Sequence, residues 1–187
     1  QEAGNDITTG DNNVAVGYGA LDLSTTGSLN IAIGKNTMGG AITTGDANVA
    51  MGFQAGNALT SGVYNVLIGT LTADSTTTGT ENVYLGINAG TTNTTGSYNV
   101  GIGSSAHGGG QSGQYNVSIG YLSMSSGLAN GDNNVVIGNE AGKDLTTGDR
   151  NIFLGLEAGT NTTHASNNIA IGQRALHGND STAQTGG

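Results

Sequence analysis

The chain lacks cysteine, proline and tryptophan altogether. The absence of cysteine fits a protein exposed outside the cell. Basic residues are scarce: 4 Lys and Arg stand against 13 Asp and Glu, a formal net charge of -9. No basic patch is available to neutralise phosphates, so nucleic acid is not expected as a partner. An anionic membrane surface would repel the chain as well. No apolar run approaches the length of a membrane span, so no membrane insertion is expected. The N-terminus carries no signal-peptide pattern and begins at Gln1 rather than Met. It is read as a processed or excised piece whose targeting signal, anchor or assembly domain lies elsewhere. Glycine is abundant, at 35 residues, yet never falls every third position, which excludes collagen.

What fills the chain is one unit written ten times. Asn13, Asn30, Asn48, Asn65, Asn82, Asn99, Asn116, Asn134, Asn151 and Asn168 each open a copy. Seven of the steps between them are 17 residues and two are 18. Each Asn is followed by Val or Ile, a variable residue, another aliphatic residue, and then Gly. Those glycines are Gly17, Gly34, Gly52, Gly69, Gly86, Gly103, Gly120, Gly138, Gly155 and Gly172. A fixed period of this kind is the mark of a solenoid, and aliphatic residues at fixed phase argue against a disordered tract. The expected fold is all-β: a parallel β-solenoid of ten coils over residues 10–178. Residues 1–9 form a lead-in or partial coil, and residues 179–187 a tail or the start of another element.

Within the unit the pattern apolar, variable, apolar has period two and predicts a short strand. The constant Val and Ile pairs are expected to face the coil interior. The variable position between them carries Leu67, Tyr84, Val136 and Phe153 among small residues, and no charge. If that position faces outward, a sister chain must cover it. Hence a homotrimer is expected, with Leu67, Tyr84, Val136 and Phe153 at its interface. The Gly after each strand points to positive φ or close backbone approach at a corner. Three residues on comes a small residue such as Ala20 or Ala89, expected inside the return half. Thr-Thr-Gly motifs, as at Thr25-Thr26-Gly27, close the coil. The extra residue of each 18-residue step is placed at Gly39-Gly40 and near Gly127 to Asn130, in surface turns. The repeated asparagines are expected to hydrogen-bond up the stack or to adopt the left-handed conformation at a turn.

The core Asn30-Ile31-Ala32-Ile33-Gly34 resembles the repeat of trimeric autotransporter adhesin heads, the YadA-like family. The longer unit from Asn134 to Gly148 is similar to repeats of bacteriophage tail fibres and spikes. That resemblance spans about residues 8–178. It implies a left-handed β-roll in a homotrimer, located on a virion or an extracellular cell surface. The implied role is spacing, rigidity and attachment to a host glycan or protein receptor, without catalysis and without a cofactor.

Several residues bear on other chemistry. Asp11, Asp46, Asp132 and Asp149 follow glycines in turns, as in calcium-binding β-rolls, but Ser28, Val63, Thr80, Ser97 and Gln114 hold the same position elsewhere. Turn aspartates bonded to local backbone explain them better than a metal. His107, His164 and His177 lie in different coils with no second ligand at useful spacing. Glu140 and Glu157, with Asp144 nearby, would stack as a glycosidase-like carboxylate pair, against which stands the lack of a sugar-binding aromatic platform near them in sequence. Tyr64, Tyr98 and Tyr115 share one phase and are expected to pack on a neighbouring chain rather than on a glycan. Ice binding by the Thr array is the remaining rival, with an adhesin head as the nearer alternative.

Overall fold

Each asparagine is followed by a strand of three residues: β1 (Val14–Val16), β2 (Ile31–Ile33), β3 (Val49–Met51), β4 (Val66–Ile68), β5 (Val83–Leu85), β6 (Val100–Ile102), β7 (Val117–Ile119), β8 (Val135–Ile137), β9 (Ile152–Leu154) and β10 (Ile169–Ile171). In the computed structural model, which describes residues 2–126 and 130–178, these form one parallel ten-stranded sheet in chain order. Every strand pairs with the next at the same repeat position, as Val66 with Val83 and Leu67 with Tyr84. The chain is therefore an all-β solenoid that climbs one rung per repeat. Residues 4–8 already lie on the first coil, through Gly4 N–H to Ala20 O at 2.8 Å and Thr8 N–H to Thr25 O at 3.0 Å.

The faces of the strand are the reverse of the sequence expectation. Leu67, Tyr84, Val136 and Phe153 are fully buried within their own chain, as are Ala32 and Ala50. They fill the coil interior and cannot form the interface assigned to them. The constant pairs point outward, as Ile169 and Ile171 do at 71% and 67% exposure. Period two tells which residues share a face, not which face is inside. Here both faces are apolar, so hydrophobicity could not choose between them. β-Branched residues suit the outward face for a backbone reason: they stiffen a short strand.

The return half is built from left-handed residues. The sixth and eighth residues after the Asn and the one before it take positive φ, as at Asn36 (55°), Met38 (48°) and Ala47 (56°) in the second coil. The asparagines that open the strands are not themselves left-handed; the residue ahead of each one is. At the strand's end Gly103 has φ 126°, and a Cβ there would stand 2.7 Å from the Gly120 carbonyl oxygen of the next coil. Only glycine meets both conditions. The 18-residue second coil keeps its pairing through Gly40, whose N–H reaches Asn57 O at 3.0 Å. Pairing then resumes one residue out of step at Thr44, which reaches Thr60 O, so the extra residue is taken up at Ala41–Ile42. The second insertion, over 127–129, lies outside the described residues.

Inside the coils the hydrophobic core divides in two. One cluster runs from Ala20 to Ala89 and the other from Met124 to Ala170, with Leu176 packed against it. Between them the interior carries Gly101, His107, Ser118 and Ser123, with Ser118 Oγ 2.7 Å from Ser123 Oγ.

Candidate assembly face

The asparagine ladder sets the geometry of everything outside it. Asn82 N–H donates to Asn65 Oδ1 at 3.0 Å, and Asn82 Oδ1 accepts Asn99 N–H at 3.0 Å. Its Nδ2 donates forward to Gly96 O at 2.9 Å. The N–H to Oδ1 bond recurs from Asn13 through Asn168, so each buried amide caps the backbone of the next rung while its own N–H is capped by the amide before it. This locks all ten strands into one register. Outward side chains consequently fall into straight columns.

Two of those columns are made of the strand pairs. All twenty positions are Val, Ile, Leu or Met, and none is buried. A third column precedes the asparagines and a fourth follows the glycines; Tyr64 and Phe53 are members, both exposed. Ten rungs at about 4.8 Å, six residues wide at about 3.3 Å each, give a face on the order of 1,000 Å². Its two central columns are wholly aliphatic or Met, while half of the flank positions are polar or charged, Lys35, Glu81 and Arg150 among them.

The other candidates are taken up by the fold. Asp46 Oδ1 accepts Ser28 N–H at 2.7 Å, Asp132 Oδ1 accepts Gln114 N–H at 2.8 Å, and Asp149 Oδ1 accepts Asp132 N–H at 2.9 Å. Ser28 Oγ does the same for Asp11 N–H at 3.1 Å, which is why Asp and Ser interchange here. No cluster of three potential metal ligands occurs among the described residues. His164 pairs with Thr163 Oγ1 at 2.8 Å, and His177 lies 3.8 Å from Glu157. His107 is enclosed against the Tyr84 ring, and neither ring nitrogen has a partner. Burial pushes its pKa down to about 4.

Glu140 and Glu157 do occupy matching positions on adjacent coils, but each is held by a cation. Lys143 Nζ is 2.9 Å from Glu140, and Arg174 Nε is 2.7 Å from Glu157. The Arg174 guanidinium holds the Glu157 carboxyl below its ordinary range, the opposite of what a general acid needs. The Thr-Thr array is half committed as well. Thr60 and Thr77 donate their hydroxyls to the carbonyls of Thr77 and Thr94, at 2.9 and 3.1 Å. After the lead-in pair Thr8–Thr9, only the second Thr of each pair, such as Thr78 or Thr95, is exposed.

Tyr98 and Tyr115 stack in parallel on consecutive rungs, centroids 4.8 Å apart, while Glu81 separates them from Tyr64. The columns that sequence reasoning missed are the outward Val and Ile pairs and the position after the glycines. The latter had a signal: Tyr18, Phe53, Ile87, Tyr121 and Leu156 place a large apolar residue there in every second coil. Comparison of the chain with protein-family models, with curated proteins and with solved structures finds no match.

Proposed function

We propose that this chain is a non-catalytic structural segment of a homotrimeric fibre, a left-handed β-roll serving as rigid spacer and attachment element on a virion or cell surface. One observation carries it: twenty outward strand residues, all aliphatic or Met, in two columns ten rungs long. That face, about 1,000 Å² with an aliphatic centre and flanks that are half polar, is comparable to the roughly 800 Å² that each partner buries in a stable interface. The interface is thus the face of the constant pairs. The virion or surface setting rests on the resemblance of the repeat to tail-fibre and adhesin-head units. A host glycan or protein receptor would then meet the polar, Thr-rich return half that assembly leaves exposed. Catalysis is left out because the Glu140–Glu157 pair is already neutralised by Lys143 and Arg174, and the stacked Asp132 and Asp149 accept backbone N–H groups. Sedimentation equilibrium tests the assembly: the expected mass is three times the 18.4 kDa chain mass. A species that remains monomeric at micromolar concentration would overturn it.

A further inference from the structure

The coil interior changes chemistry halfway along the rod. In the fifth coil Tyr84 fills the space, and its hydroxyl accepts Asn93 Nδ2–H at 2.8 Å. In the sixth coil, residues 99–115, the buried positions hold Gly101, Ala106, His107 and Gly110. In the seventh they hold Ser118 and Ser123 beside Met124. Volume is kept through this stretch, since His107 faces Gly101 and Met124 faces Ser118, but apolar surface is not. The first core cluster ends at Ala89, the second begins at Met124, and Ala106 belongs to neither.

Within the stacks, large side chains cross from coil to coil. Phe153 reaches from the ninth coil into the eighth, its Cδ2 3.3 Å from where a Gly142 Cβ would stand. Between the sixth and seventh coils the interior crossings are polar instead: His107 N–H donates to Ser123 O at 2.9 Å and to Ser118 Oγ at 3.2 Å. Ser118 turns its hydroxyl back on its own coil, to Ser123 O at 2.8 Å. The His107 ring, stacked 5.8 Å from the Tyr84 ring, leaves both nitrogens without a partner. The asparagine ladder thins at the same place. Between Asn30 and Asn168, six asparagines donate Nδ2–H to the Oδ1 of the preceding one at 2.9–3.2 Å. Asn116 does so at 3.3 Å, whereas Asn99 directs its Nδ2 to Gly113 O and makes no such bond to Asn82.

The stability of a solenoid is close to a sum of coil terms and nearest-neighbour interface terms. Apolar area buried between coils supplies much of each interface term. Where an interface has little of it, the stacks on either side can open separately. We infer that this rod is two cooperative folding units, coils 1–5 and coils 7–10, joined by a sixth coil that opens at lower cost than either. The backbone ladder still runs through the joint, with Val83 paired to Val100 and Val100 to Val117. It holds the rod in line while the joint is closed. Opening there leaves both stacks folded, so the rod has a preset yielding point near its middle.

Amide hydrogen exchange of the whole chain, read by mass spectrometry in rising urea, tests this. The N–H groups of Val66 and Val83 report the first stack, those of Val135 and Ile152 the second, and those of Val100 and His107 the joint. The two stacks should follow two separate urea dependences, and the joint should exchange ahead of both. The slope of each should be smaller than that of whole-chain unfolding, because less surface is exposed. One dependence shared by both stacks overturns the inference. The double variant His107→Met with Ser118→Ala restores an apolar interior using residues the chain already holds at these positions, Met38 and Met124 for one and Ala32 and Ala170 for the other. Met38 and Met124 have φ of 48° and 46°, close to the 53° of His107, so the backbone accepts the change. The variant should merge the two dependences into one, with a slope near their sum. A folded variant that keeps two dependences overturns the polar joint as their cause. The unmodified chain decides whether there are two units even if the variant does not fold.

Discussion

Tyr84 occupies the space that Gly90 leaves empty: a Cβ on Gly90 would stand 2.6 Å from Tyr84 Cδ2. Six residues separate the strand centre from this second interior position, and their sizes are inversely related. Ala15 faces Leu21, Ala32 faces Met38, Gly101 faces His107 and Phe153 faces Gly159. In most coils the volume is conserved while its contents change sides; in the third both positions are small, Ala50 and Gly56, and Leu67 of the next coil reaches in, its Cδ1 2.8 Å from where a Gly56 Cβ would stand.

Phe153→Ala should therefore cost about 3–5 kcal/mol, the usual cost of emptying a buried aromatic site. Adding Gly159→Leu should recover part of that loss, although alone it destabilises by overpacking. The left-handed backbone is no bar, because Leu21 (φ 50°) and Met38 (φ 48°) already hold that position in other coils. Urea unfolding midpoints of the two single variants and the double variant measure the coupling. Simple additivity would show that the two positions do not share one cavity.

Asn82→Ala removes the acceptor for Asn99 N–H and the donor to Gly96 O, both in the sealed interior. Two backbone groups lose their partners at about 1–3 kcal/mol each, so the expected loss is roughly 2–6 kcal/mol. Asn13→Ala removes the equivalent bonds at the solvated end of the ladder, where water replaces them. Its cost should be at most about 1 kcal/mol. Equal destabilisation in thermal melts would mean that the ladder contributes propensity at the turn rather than satisfied buried groups.

The period, the strand positions and the register were all legible, because Asn and Gly recur at fixed phase and one phase places every residue. The direction of the strand faces was not. Constancy of the Val and Ile pairs looked like a core, and the varied residues between them like a surface. Inside this coil the varied residue is free to change because its partner six positions on changes with it, as Tyr84 with Gly90 shows. That inverse relation was present in the sequence and is the signal that separates an interior position from an interchain one. The asparagines' hydrogen bonds were foreseen; the left-handed residue turned out to be the one before, such as Tyr98 at φ 61°.

His107 makes stability depend on pH. Its imidazole is enclosed and neutral in the folded coil, with a pKa lowered to about 4 by burial, against 6.5 for the ordinary group. The unfolded chain takes up a proton near 6.5 that the folded chain refuses until about 4. Its contribution is thus fully present above pH 6.5 and is lost as pH falls through that window, by on the order of 3 kcal/mol. His107→Met places at this site the side chain found at Met38 and Met124, and should flatten the stability profile between pH 6.5 and 4. Parallel profiles for the two proteins in urea titrations at stepped pH would show that the imidazole is not sealed from water.

A charge on the outward strand column distinguishes assembly from folding. Ile137 is partly exposed on β8, so Ile137→Asp leaves the coil interior intact and preserves the far-ultraviolet circular dichroism of the sheet. In a closed homo-oligomer it would place one unpaired carboxylate per chain in a desolvated interface, a cost of several kcal/mol for each. The variant should therefore sediment as a monomer. Thr147→Asp, on the exposed return half, should leave the assembly unchanged. Phe153→Asp should behave differently from both, losing sheet signal because that side chain fills the coil rather than its boundary. Should Ile137→Asp and Thr147→Asp sediment alike as oligomers, the aliphatic columns are not where the chains meet.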